Sequence, residues 1–160
     1  MTVRIMGIDP GLQCTGWGVV EATGATGISF LAAGSVRTGS RMRLSDRLLK
    51  LYDGLASVIS TWQPNEAAVE RVFVNSNPAS SLKLEQACTI ALLVVAKSSL
   101  HCAEYAPNTI KQSIVGVGHA GKDQVRFMLQ AMLPEMIQNV GKDSVDALAT
   151  AICHARHARW

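Results

Sequence analysis

Hydrophobic and polar positions change period several times along this chain, and the changes divide it into elements. Val3 to Asp9 is a short apolar run of strand length closed by the turn pair Pro10-Gly11. Thr15 to Ala22 and Ile28 to Thr38 also read as strands, joined through the Gly-containing segment Thr23 to Gly27. Three strands in a row with a hairpin-length connection predict an antiparallel meander. From Ser40 the spacing shifts to three and four: Leu44, Leu48, Leu51, Leu55, Ile59 and Trp62 form one stripe of an amphipathic helix, and Pro64 lies just beyond it.

Ala67 to Phe73 returns to strand, and Asn77-Pro78 supplies an N-cap followed by proline at the first helical position. The helix it opens runs to about Leu100. Cys102 to Ala106 is a fifth strand, and Pro107 begins a helical turn carrying Lys111. Gly116 to Gly121 contains three glycines and is expected to be a mobile loop. Val125, Met128, Leu129, Met132 and Leu133 mark a helix stopped at Pro134, and a last helix starts near Asp143. The order β-β-β-α-β-α-β-α-α predicts an α/β fold with a mixed five-stranded sheet and helices on both faces. With 160 residues the chain is read as one folding unit, 1–160, with a short tail after about residue 153.

Composition narrows the class. At 48% hydrophobic and 17% charged residues, disorder is excluded for the bulk of the chain. The longest apolar run, Ile90 to Ala96, is far shorter than the roughly 20 residues of a membrane helix, and the N-terminus has no secretory core, so a cytoplasmic location is expected. Cys14, Cys88, Cys102 and Cys153 contain no Cys-x-x-Cys pair and are expected to be reduced thiols. Fifteen Lys and Arg oppose twelve Asp and Glu. If four of those acids share one site, eight remain to balance the fifteen cations. An acidic centre in a basic surround suits a metal-dependent enzyme acting on a polyanion.

Four acids are candidates for that centre. Asp9 ends the first strand on the same side as Val3, Ile5 and Gly7, although an Asp-Pro-Gly sequence also opens ordinary turns. Glu70 interrupts an otherwise buried strand and is either a ligand at the sheet's mouth or half of an ion pair with a neighbouring arginine. Asp143 and Asp146, three apart, share one side of a first helical turn, where acids also serve to complement the helix dipole. Clustered, four carboxylates would repel one another unless cations neutralised them. With oxygen donors and no Cys or His, the set suits Mg²⁺, with Mn²⁺ as a substitute. Two such ions would stabilise the attacking and leaving oxygens of a phosphoryl displacement.

The ordered set Gly7-Ile8-Asp9-Pro10-Gly11, Thr15-Gly16-Trp17-Gly18, Glu70-Arg71-Val72-Phe73, Ala87, Lys111-Gln112, Val115 to Gly118, Lys122 and Asp143 to Ala149 resembles the RuvC family of Holliday junction resolvases from end to end. The resemblance implies a ribonuclease H-like fold. It also implies a homodimer that cuts four-way DNA junctions by paired nicks, using divalent metal held by four carboxylates, here Asp9, Glu70, Asp143 and Asp146. It points to Lys111 and Lys122 as basic residues near the cleaved strand, and Lys122, because it follows the glycine loop, is expected to assist catalysis as that loop closes. Phe73 is implied as an aromatic beside the bases at the exchange point, where it is expected to stack on an unpaired base, the alternative being plain core after a strand. A branch-migration motor is implied as a partner. Two symmetric cuts need two sites, and the apolar helix from Pro78 to Leu100 is the expected dimer interface. The tail residues His154, His157 and Trp160 fall outside the motifs, and both histidines are expected to be solvent groups.

Three other readings compete. A sugar-kinase or actin-like ATPase shares the Asp9-Pro10-Gly11 turn but needs two related domains. A non-catalytic junction-binding module would have no use for the acidic set, and a ribonuclease H-like nuclease acting on another nucleic acid is separated only by the whole-chain resemblance.

Overall fold

The computed structural model describes residues 1–71, 77–136 and 140–158. Strands β1 (Val3–Asp9), β2 (Cys14–Ala22) and β3 (Ile28–Arg37) are followed by α1 (Leu44–Trp62), β4 (Glu66–Glu70), α2 (Pro78–Lys97), β5 (His101–Tyr105), α3 (Pro107–Val115), α4 (Lys122–Met132) and α5 (Lys142–His157). The five strands form one sheet in the order β3-β2-β1-β4-β5. β1 pairs antiparallel with β2 and β2 with β3, whereas β1–β4 and β4–β5 are parallel, so the sheet is mixed as expected.

Both faces of the sheet are covered, because alternate residues of β1 supply two separate cores. Val3 and Ile5 pack with Ile110, Ile114, Leu129, Leu148 and Ile152 from the later helices. Met6 and Ile8 pack on the opposite face with Leu55, Val58, Ile59, Ala91, Val94 and Val95 of α1 and α2. α1 begins at Leu44, after a turn in which the Met42 N–H donates to the Gly39 carbonyl, and it ends where Gln63 adopts a left-handed conformation (φ 49°). At the start of α2 the Asn77 side chain accepts from the Ala79 and Ser80 N–H groups, the cap anticipated from Asn-Pro.

Several boundaries differ from the sequence reading. β4 ends at Glu70 instead of extending towards Phe73, and Phe73 lies outside the described residues. α3 is a helix of nine residues, where the proline signal alone predicted one turn. The glycine segment is anchored at Ala120, which is buried in the α5-side core, and α4 starts directly after it at Lys122. α2 has the length and hydropathy of a membrane span, yet Ala87, Cys88, Ala91, Val94 and Val95 are buried within the fold. The expectation that the C-terminal histidines face solvent fails for His154. α5 continues to His157, and His154 is only 3% exposed because the helix crosses the sheet with nearly its whole central length buried.

α5 lies against β1 and β2 at backbone distance. A Cβ added at Gly7 would overlap the Ala147 carbonyl oxygen, and one at Gly16 the Asp143 carbonyl oxygen. The Ser144 hydroxyl donates to the Gly34 carbonyl at 2.7 Å and fixes the helix start over the meander. Gly7→Ala therefore has no room to be absorbed, since the obstructing atom is backbone in a buried helix. It should cost about 3 kcal/mol or more and lower the melting temperature by about 6 °C or more, as measured by thermal unfolding of the two proteins.

Candidate active site

The turn after β1 is closed by Thr15, whose hydroxyl donates to the Gly11 carbonyl at 2.8 Å and accepts from the Gly11 N–H. This fixes Asp9 at the rim of the sheet. β4 runs parallel beside β1, with Val69 opposite Ile8, so Glu70 emerges at the same rim. The first turns of α5, held down at Gly16, add Asp143 and Asp146.

Asp9, Glu70 and Asp146 line one cleft of about 190 Å³ together with Lys111, Lys122, Pro107 and Ile110. The Lys122 ammonium stands 3.7 Å from the Asp146 carboxylate and is itself mostly exposed. Asp143 borders the adjoining part of the cleft with Asp9, Asp146, Arg126 and Lys142, and its carboxylate is held 2.7 Å from the Arg37 guanidinium of β3. The structure thus brings the four predicted acids and both predicted lysines to one end of the sheet. Asp143 sits at its edge in an ion pair that the sequence did not reveal. Nothing in the local pattern around Arg37 marks it, since its partner is 106 residues away.

The ion-pair alternative for Glu70 finds no support in where its neighbour points. The Arg71 guanidinium reaches Glu104 at 2.5 Å and Glu85 at 3.0 Å. Glu70 instead faces Asp9. Burial, followed by the charges of Glu70 and Asp146, pushes the Asp9 carboxyl up to about 8. Burial and the Asp146 charge push Glu70 up to about 7, against the opposing pull of Lys122 and Lys111. Buried carboxyls raised by burial and by a neighbouring carboxylate describe a site that favours positive charge. Asp9, Glu70 and Asp146 offer oxygen donors, and among the described residues no Cys or His lines the two parts of the cleft. The donor set fits a hard divalent cation.

A basic groove adjoins the cleft, lined by Arg37, Arg47 and Lys83 with Gly11, Leu12 and Ser80. Arg47 is steadied by its Nε donating to the Thr38 hydroxyl at 2.9 Å. This is the basic surround that the charge count required, contributed by β3, α1 and α2.

Comparison with known proteins gives one consistent result. Residues 5–154 match the family model described as crossover junction endodeoxyribonuclease RuvC. The chain is 49% identical to the protein of that name from Sinorhizobium fredii and 48% identical to that of Rhizobium etli, in both cases over 98% of this chain and 91% of the relative. Among solved structures it is similar to Thermus thermophilus RuvC in complex with a Holliday junction substrate, with a TM-score of 0.90 and 28% identity over 97% of this chain and 94% of that one. The yeast mitochondrial Holliday junction resolvase shares the fold, with a TM-score of 0.69 at 12% identity over 96% of this chain and 79% of that one.

The raised carboxyls have a consequence for stability. Asp9 has an ordinary value of 3.8 and a folded value of about 8, so the metal-free folded state binds a proton that the unfolded chain has released. That contribution is complete below about pH 4 and lost as the pH rises through about 8. In chelator, the melting temperature of the wild type should fall between about pH 5 and 8 more steeply than that of Asp9→Asn, which carries no ionisable group there. Calorimetric scans of both proteins across that range check it.

Proposed function

The chain belongs to the RuvC family of crossover junction endodeoxyribonucleases and has its ribonuclease H-like fold; from that membership we propose that it resolves four-way Holliday junctions in the cytoplasm by paired, symmetric, metal-dependent nicks. The observation that carries the reading is the convergence of Asp9, Glu70 and Asp146 in one cleft with Lys111 and Lys122, flanked by Asp143 and a basic groove.

In this reading Asp9, Glu70, Asp143 and Asp146 hold two Mg²⁺ ions, with Mn²⁺ able to substitute. Cations held there would supply Lewis-acid activation of water and charge neutralisation at the scissile phosphate, the chemistry of a hydrolysis that leaves a 5′-phosphate and a 3′-hydroxyl. Asp9 carries a proton near neutral pH in the metal-free protein, and cation binding must displace it, which makes metal affinity rise with pH. Asp143 would leave Arg37, and the guanidinium so released faces the groove where a phosphate backbone can pass. Lys122 is exposed beside Asp146 at the start of α4 and places an ammonium next to the reacting phosphate. Lys111, half-buried on the cleft wall, anchors the strand. Phe73, outside the described residues, stacks on an unpaired base in this reading.

Two symmetric cuts require two such clefts, supplied by a homodimer. Support comes from α2: Leu82 is 62% and Leu93 52% exposed, and with Thr89 they follow one another along the face turned away from the core. A second copy of the helix would cover that stripe. A branch-migration motor is the further partner that the family reading supplies.

The test is cleavage of a synthetic four-way junction, compared with matched linear duplex, in Mg²⁺. Junction-selective paired nicks are expected, and Asp9→Asn should bind the junction while losing cleavage at least about 100-fold. Lys122→Ala should lower the single-turnover rate by about 100-fold, with a much smaller change in junction affinity; an effect confined to affinity would make it a phosphate anchor only. For the dimer, sedimentation at micromolar concentration without DNA should give twice the chain mass, and Leu93→Glu should give the monomer mass.

A further inference from the structure

β4 carries a carboxylate at each end. Glu70 opens into the acidic cleft, and Glu66 lies at the opposite end of the strand, paired in register with His101 of β5. Here α5 brings down His154, two turns beyond Asp146. One carboxylate oxygen of Glu66 and one ring nitrogen from each histidine lie within 4.8 Å of one another. The His154 Nε2 is 2.6 Å from the Glu66 carboxylate, and its ring stacks on that of His101 with centroids 6.4 Å apart.

We propose that Glu66, His101 and His154 form a second metal site, separate from the acidic cleft, that takes Zn²⁺. The donor chemistry distinguishes the two. Two imidazoles and one carboxylate suit zinc, which binds such ligands at about 2.0–2.2 Å with water in the fourth position. An all-oxygen set retains magnesium. The buried member is also oriented as a ligand should be. His154 Nε2 points at Glu66, and its Nδ1 is 2.9 Å from the Tyr105 hydroxyl, which can donate to Nδ1 in the metal-free ring and accept from Nδ1–H when Nε2 binds metal. Zinc entry replaces the Nε2–H to carboxylate hydrogen bond by taking the ring as its other tautomer: Nε2 gives up its proton, Nδ1 takes one up, and the Tyr105 hydroxyl turns to accept from it. His101 is exposed at the strand start and free of the core, so its ring can close the remaining separation to about 3.4 Å, the spacing of tetrahedral ligands.

The bound ion would clamp the C-terminal half of α5 to the starts of β4 and β5. Its effect would therefore be on how firmly the helix bearing Asp143 and Asp146 is seated, and the site does not depend on the nuclease reading.

The experiment is equilibrium dialysis of the metal-stripped full chain against ⁶⁵Zn²⁺ in excess Mg²⁺, with thermal melts on the same samples. Wild type should bind one zinc per chain and melt higher with it. His101→Ala, a change at an exposed side chain, should lower zinc affinity at least about 10-fold and abolish the rise, while Asp9→Asn should retain both. Tyr105→Phe should weaken binding about 10-fold by freeing the ring. Absence of zinc binding by wild type, undiminished binding by His101→Ala, or loss of binding in Asp9→Asn would each overturn the proposal.

Discussion

The acidic cleft depends on how closely the backbone of α5 rests on β1 and β2. A helix packed on a sheet through side chains of ordinary size stands about 10 Å away, too far for its first turn to reach the strand ends. Gly7 and Gly16 remove the side chains at the crossing, so the carbonyls of Ala147 and Asp143 occupy the space that Cβ atoms would take. The Ser144 to Gly34 hydrogen bond locks the position. Only in that arrangement do Asp143 and Asp146 arrive beside Asp9.

Holding those carboxylates together opposes folding, and the two apolar cores on either face of β1 supply the stabilisation that offsets it. The cost appears in the upward displacement of Asp9 to about 8 and Glu70 to about 7. Partial relief comes from Lys122 and Lys111, and at the margin Arg37 takes up Asp143. A set of carboxylates that repel one another fits a divalent cation. Under the proposed function the same lysines would face the phosphate, so the groups that moderate repulsion in the free protein would serve the substrate.

α5 joins two chemically different ends of the molecule. Its start contributes carboxylates to the cleft, and its last turns place His154 between Glu66 and Tyr105. A buried helix with polar groups satisfied at both ends is fixed in rotation as well as in depth, because turning it would strand His154 without acceptors and carry Asp146 away from the rim.

The sequence by itself determined the strand order in the chain, the mixed sheet, the helix on each apolar stripe and the Asn77 cap, because these rest on local periodicity and on backbone groups a few residues apart. It also determined which acids would meet, since each stands at an element boundary: Asp9 before Pro10-Gly11, Glu70 at the end of an apolar strand, Asp143 and Asp146 in a first turn. Tertiary structure alone decided the rest. Arg37 meets Asp143 across 106 residues, and no local signal records such a pairing. His154 follows Cys153 in a stretch that reads as a polar tail, yet it is buried because α5 extends over the sheet to His157. α3 became a full helix because Ile110 and Ile114 found a core to enter. Local pattern specifies what an element is and which side is apolar, whereas the partner of a charged side chain is set by the three-dimensional path that brings distant segments together.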